Sequence, residues 1–174
     1  MGYSRSASHH ASLFAKDATV LASKCLTAAM LEVGMQHRQN FRFTREQVET
    51  YCALAGDMNA IHRDVEAARL RFPEISDIVV PGGLIQIAVT GLFGSELPGD
   101  GTLGLTFSPD RFRKPVCLGD TITVTIEVTR IRGALVEMDV WVDDAEGTRV
   151  GTAKSRLIAP DETYRRWWQA QQPG

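Results

Sequence analysis

Cysteine is scarce in this chain. Among 174 residues there are three, Cys25, Cys52 and Cys117, widely spaced and with no C-x-x-C pair. An odd, scattered set supports neither a disulfide framework nor a structural zinc site. Three buried thiols in a reducing compartment are expected instead, with no metal. A basic excess is also lacking: 19 Lys and Arg stand against 21 Asp and Glu, for a net charge of −2. Nothing therefore points to nucleic acid as a partner, and an anionic ligand would have to be met by local basic groups. No apolar run reaches the roughly 18 residues of a membrane span. The nearest, Ile78 to Phe93, is interrupted by Pro81, Gly82, Gly83, Gln86 and Gly91. No membrane association is expected.

Acid is rare at the N-terminus. The first 31 residues hold Arg5, Lys16 and Lys24 against Asp17, together with five serines. That composition suits an organellar transit peptide. It suits equally a disordered leader with a short helix, or an upstream start codon. The second group of readings is favoured, which makes the expected location cytoplasmic and mitochondrial the alternative.

A hydrophobic content of 44% is enough to give one domain a real core. Along the chain, Phe14, Leu21, Cys25 and Ala28 recur at helical spacing and predict an amphipathic helix over Ser12 to Leu31, stopped by Gly34. Met35, His37, Gln39, Phe41 and Phe43 would share one side of a strand. Thr44 and Gln47 form a capping box, with Phe43 and Val48 placed as a hydrophobic staple. The helix that follows carries Val48, Tyr51, Cys52 and Ala55 on one face and ends at Gly56. Asp57 to Arg63 is then a loop, and Asp64 caps a short helix from Val65 to Phe72.

After Pro81-Gly82-Gly83, the segment Leu84 to Phe93 is apolar nearly all round, so burial on most sides is expected. Leu97 to Gly101 is a turn, and beyond it the period changes to two. Leu103, Leu105 and Phe107 alternate, as do Ile122, Val124, Ile126 and Val128. Val136 to Val142 and Arg149 to Ile158 complete a meander. From Pro160 the chain reads as a polar tail. One buried helix followed by antiparallel strands is an α+β pattern, satisfied by a curved sheet wrapped around that helix: the hot-dog architecture, with a helix across an open sheet as an alternative. The expected organisation is an extension over 1–34, the hot-dog domain over 35–160 and a tail over 161–174.

Asp57 and His62 share a loop leaving a helix end, so both can face one cleft. Aspartate and histidine can be tuned to give and take protons. Asn59 between them offers a donor and an acceptor. As a bare spacing D-x4-H is also ordinary turn chemistry. Gly82 and Gly83 open the buried helix, where free N–H groups and a positive dipole end suit an oxygen gaining charge. The other reading is a tight turn that needs glycine.

Taken together, the ordered set resembles the MaoC-like dehydratases of the (R)-hydratase type. It comprises Phe43-Thr44, Tyr51, Ala55-Gly56-Asp57, Asn59, Ile61-His62, Asp64, Ala67, Phe72, Val79 through Leu84, Leu97-Pro98-Gly99, Phe112 through Val116, and Gly119-Asp120. The resemblance runs from Phe43 to about Val128. It implies the hot-dog fold and hydration of trans-2-enoyl thioesters to (R)-3-hydroxyacyl thioesters, or the reverse. Asp57 and His62 would be catalytic, holding and activating water and exchanging the proton. Asn59 would support the loop, the Gly82 N–H with Gly83 beside it would bind the thioester carbonyl, and Thr90 would stand near the site. No cofactor is implied, since coenzyme A or acyl carrier protein arrives as part of the substrate, and a homodimer is expected. Arg63, Arg111, Arg113 and Lys114 are candidate phosphate contacts, with solvated surface charge as the other reading.

Two positions depart from the family pattern. Ala60 stands where proline commonly follows the asparagine, and Pro81 where histidine commonly precedes the glycine. Proline lacks an N–H, but Gly82 keeps its own. A hot-dog acyl-CoA thioesterase and a non-catalytic acyl-thioester-binding protein are the competing readings.

Overall fold

The computed structural model describes residues 23–172. Strand β1 (Gln36–Arg42) leads into helix α1 (Arg45–Ala55), then α2 (Val65–Arg71) and α3 (Gly82–Ser95). Four strands follow, β2 (Leu103–Pro109), β3 (Thr121–Arg132), β4 (Leu135–Asp144) and β5 (Arg149–Ile158), and then helix α4 (Glu162–Ala170). The five strands form one antiparallel sheet in the order β1-β3-β4-β5-β2. This is the α+β hot-dog arrangement expected from the pattern.

Local chemistry sets the element ends. Thr44 Oγ1 accepts from the Gln47 N–H at 3.3 Å and Gln47 Oε1 accepts from the Thr44 N–H at 2.8 Å, the reciprocal capping box. Phe43 and Val48 are both buried beside it. Gly56 ends α1 at φ 66°, a left-handed conformation that costs glycine nothing. Asp64 accepts from the N–H groups of Glu66 and Ala67 and starts α2.

The core lies between α3 and the concave face of the sheet. Ile122, Val124, Ile126 and Val128 on β3 and Val136, Met138, Val140 and Val142 on β4 point into it at every second residue. Leu84, Ile85, Ala88, Val89, Leu92 and Phe93 of α3 fill the space opposite.

The α3 helix is buried on most sides, as expected, and Ile87, Thr90, Gly91 and Gly94 lie exposed along one stripe, which Gly83 opens. Two expectations about the fold need correction. The helix over Ser12 to Leu31 is not present in its described part, and residues 12–22 lie outside the described residues. The reason is competition for the backbone. The Lys24 N–H donates to Ser95 O at 2.8 Å and the Leu26 N–H to Pro98 O at 3.0 Å, so the segment is held extended against the turn after α3, with one 3₁₀ turn at Ala28–Met30. The C-terminal tail is helical. Asp161 caps α4, and Tyr164 Oη donates to Asp100 at 2.8 Å, which raises the tyrosine pKa.

Candidate active site

The loop leaving α1 is tied at nearly every residue. The Asp57 N–H donates to Cys52 O at 2.9 Å, closing the helix end. The Asn59 N–H donates to Asp57 Oδ1 at 3.0 Å, and Asn59 Oδ1 accepts from the Ile61 N–H at 3.4 Å. Side chains here take over turns that the backbone would otherwise leave open. Ala60, where the family pattern has proline, starts a 3₁₀ turn to His62 that carries the imidazole inward. Arg63 donates to Met58 O and closes the outer side.

His62 is held from the far side of the fold. The Val79 N–H donates to Ile61 O at 3.0 Å, and His62 Nδ1 lies 2.6 Å from Val79 O. A carbonyl oxygen only accepts, so Nδ1 carries the hydrogen, and in the neutral form the ring's lone pair is at Nε2. That nitrogen faces Asp57 Oδ2 at 3.7 Å, with side-chain exposures of 10% for His62 and 30% for Asp57. Two acceptors therefore face one another across a gap too long for a direct hydrogen bond. A water molecule, which has two O–H donors, satisfies both. Burial raises the pKa of the neighbouring Cys52 thiol, and the Asp57 charge adds to the shift.

At the start of α3 the N–H groups of Leu84 and Ile85 turn back to Pro81 O at 3.0 and 3.4 Å. The amides of Gly82 and Gly83 are the first-turn donors left over, at the positive end of the helix. Pro81 makes no side-chain cap that would occupy them. Glycine leaves room for a neighbour at both positions: a Cβ on Gly82 would come 2.6 Å from Phe112 Cε2, and one on Gly83 would overlap the Tyr51 hydroxyl. His62 and Gly82 both line a cleft of about 240 Å³, together with Ile61, Val80, Phe112 and Arg113.

The structure thus brings Asp57, Asn59, His62, Gly82 and Gly83 to one corner. It does not bring Thr90 there. Two turns along α3, Thr90 donates to Ile87 O at 3.0 Å and lines a separate groove of about 310 Å³ with Phe93, Leu105, Phe107 and Ser155. Of the four candidate phosphate contacts, Arg113 and Lys114 line the cleft. Lys114 is paired with Asp144, which raises the lysine pKa and lowers the aspartate's. Arg63 is engaged with Met58, and Arg111 lines another pocket. Sequence reasoning assigns no separate role to Val79 O, Phe112 or the Tyr51 hydroxyl. Their partners are distant in the chain, and periodicity carries no information about such contacts.

The chain is similar in sequence and in fold to known proteins. The chain is 36% identical over 107 residues to the (R)-specific enoyl-CoA hydratase of Aeromonas caviae, spanning 62% of this chain and 78% of that one. A solved (R)-hydratase structure from Aeromonas caviae superposes with a TM-score of 0.70 at 31% identity, covering 75% of this chain and 98% of the other. An R-hydratase of Pseudomonas aeruginosa in unliganded form superposes with a TM-score of 0.72 at 27% identity, covering 79% and 88%. Residues 27–148, which include the Asp57–His62 loop and the start of α3, match the MaoC-like domain family, and the chain belongs to that family.

Proposed function

We propose that the protein is a hydro-lyase that adds water to trans-2-enoyl thioesters to give (R)-3-hydroxyacyl thioesters, and catalyses the reverse dehydration. The observation that carries this reading is the facing of His62 Nε2 and Asp57 Oδ2, with His62 Nδ1 pinned on Val79 O. A water held between them loses one proton to this pair as its oxygen bonds to the β-carbon. The π electrons move toward the thioester oxygen, and the amides of Gly82 and Gly83 are placed to stabilise the charge that develops there. Return of the proton from the pair to the α-carbon completes the addition. Substrate, water and one shuttled proton balance this reaction, so no cofactor enters it. Coenzyme A or acyl carrier protein is the carrier, with Arg113 at the cleft as a phosphate contact. The exposed α3 stripe leads from Gly83 past Ile87 to the Thr90 groove, whose Phe93, Leu105, Phe107 and Leu157 suit an acyl chain.

The working unit is a homodimer built on the β2 edge. The outward positions of the other edge strand, β1, are Gln36, Arg38, Asn40 and Arg42, whereas β2 exposes Leu103 at 64% and Leu105 at 55%. A second copy that pairs β2 with β2 covers these leucines and the α3 stripe by one two-fold operation. Three free thiols, all buried, fit a reducing compartment, and the reading adopted is the cytoplasm, with the mitochondrion as the alternative. Determining the mature N-terminus in cells distinguishes this from organellar import. The function is tested by following the ultraviolet absorbance of the conjugated enoyl thioester, with the stereochemistry of the product read by chiral separation. Consumption of a trans-2-enoyl-CoA with formation of the (R)-alcohol is expected. Release of free thiol from a saturated acyl-CoA would instead make it a thioesterase.

A further inference from the structure

Tyr51 stands on α1 with the body of its ring packed against the core, yet its hydroxyl lies at the first turn of α3. A side chain at position 83 would occupy the same space as this hydroxyl, so the oxygen is in contact with the Gly83 Cα. Among the described residues the hydroxyl has no hydrogen-bond partner. The neighbouring amides of Gly82 and Gly83 are likewise without backbone acceptors. Three donors with no assigned acceptor thus meet at one helix end, whose Gly82 lines the His62 cleft. Gly83 is also where the exposed α3 stripe begins.

From this juxtaposition we infer that Tyr51 is a further catalytic residue, whose phenolic O–H donates to the thioester oxygen alongside the amides at the start of α3. The inference rests on the hydratase reading. As water adds to the β-carbon, charge moves onto that oxygen. A donor already pointing there strengthens its hydrogen bond in the transition state and keeps its own proton throughout. Gly83 has a matching role, because its missing side chain is what lets the hydroxyl reach the corner. The residue pair is thus read as one device, a phenol on α1 and a gap on α3.

The test is a double-mutant cycle on the full chain with a trans-2-enoyl-CoA. Tyr51→Phe keeps the ring and removes an oxygen that has no partner among the described residues. It should lower kcat by about tenfold while KM and Tm stay in place, a loss on the scale of one neutral hydrogen bond. Gly83→Ala, which drives the hydroxyl away, should lower kcat similarly. The double variant should be no slower than the slower single variant, because both changes remove one interaction. A Tyr51→Phe enzyme within about twofold of the parent kcat would overturn the assignment. So would fully additive losses, or a fall in kcat that tracks a fall in Tm, which would reduce Tyr51 to packing. A parent enzyme with no hydratase activity would remove the underlying reading itself, whereas an active parent with an unaffected Tyr51→Phe variant removes only the role of Tyr51.

Discussion

Two regions of the molecule are built on opposite principles. In the loop from Gly56 to Asp64 most backbone turns are tied by a side chain or a distant carbonyl, and what remains free is the gap between His62 Nε2 and Asp57 Oδ2. Along β2 and the outer stripe of α3 the situation is reversed. Leu103, Leu105 and Ile87 face outward, and among the described residues one edge of the strand has no neighbour in the sheet order. The first region is assembled within one chain, and on the proposed mechanism its chemistry needs only substrate and water. The second has apolar surface and unpaired ladder groups that the described residues of one chain do not cover. On the proposed reading, a tied catalytic corner stands beside substrate walls that a second copy completes.

The contrast between the two regions is sharpest at the acid–base pair. Asp57→Asn or His62→Gln should lower kcat by about 10²- to 10⁴-fold with Tm nearly unchanged, as measured on enoyl-CoA turnover. An Asp57→Asn enzyme that keeps most of its rate would remove the proposed mechanism. Leu105→Glu addresses the other region. It should shift the protein from dimer to monomer in light scattering after gel filtration, and kcat/KM should fall with it if the groove depends on the second copy. A Leu105→Glu protein that remains dimeric would place the interface elsewhere.

Asn59→Ala should have an intermediate effect, since it removes the acceptor for the Ile61 N–H that helps carry His62 inward. A loss of roughly 1 kcal/mol, typical for a lost helix- or turn-capping acceptor, should appear in urea unfolding along with a several-fold lower kcat. If stability falls while kcat does not, the loop is held by other bonds. The smallest effect belongs to Lys114 and Asp144 beside the cleft. The lysine holds the Asp144 pKa below the usual carboxylate range, so the pair contributes above the pKa of the unfolded aspartate and the contribution is lost as pH falls through the lowered value. Lys114→Ala should therefore cost little Tm at neutral pH and nothing in acid, read from melting curves across pH. A deficit that persisted in acid would mean the lysine acts through packing.

Much of the frame is legible in the residues alone. The Thr44–Gln47 capping box, Gly56 as the stop of α1, and Asp64 as the cap of α2 are short-range signals, and each is found with the expected partner. The β3 to β5 meander is legible as alternation, because a strand with one buried face repeats every two residues. The helicity of α4 is harder to read, although Asp161 is the kind of cap that announces a helix, because its apolar face is short. The region before β1 misleads for a different reason. A helical period is visible there, but the backbone bonds of Lys24 and Leu26 to the α3 turn outweigh it.

Spacing and residue chemistry over a few positions suffice for most of the elements, for the loop that Asp57 and His62 share, and for the two glycines opening α3. Which imidazole nitrogen faces Asp57 is fixed in three dimensions, by the carbonyl of Val79, 17 residues away. The same holds for Thr90, which belongs to a different groove from His62, for the uncovered face of α3, and for the reach of Tyr51 to Gly83. Each of these depends on how α3 lies against elements remote in the chain, and periodicity within a segment does not encode the rotation of one element against another.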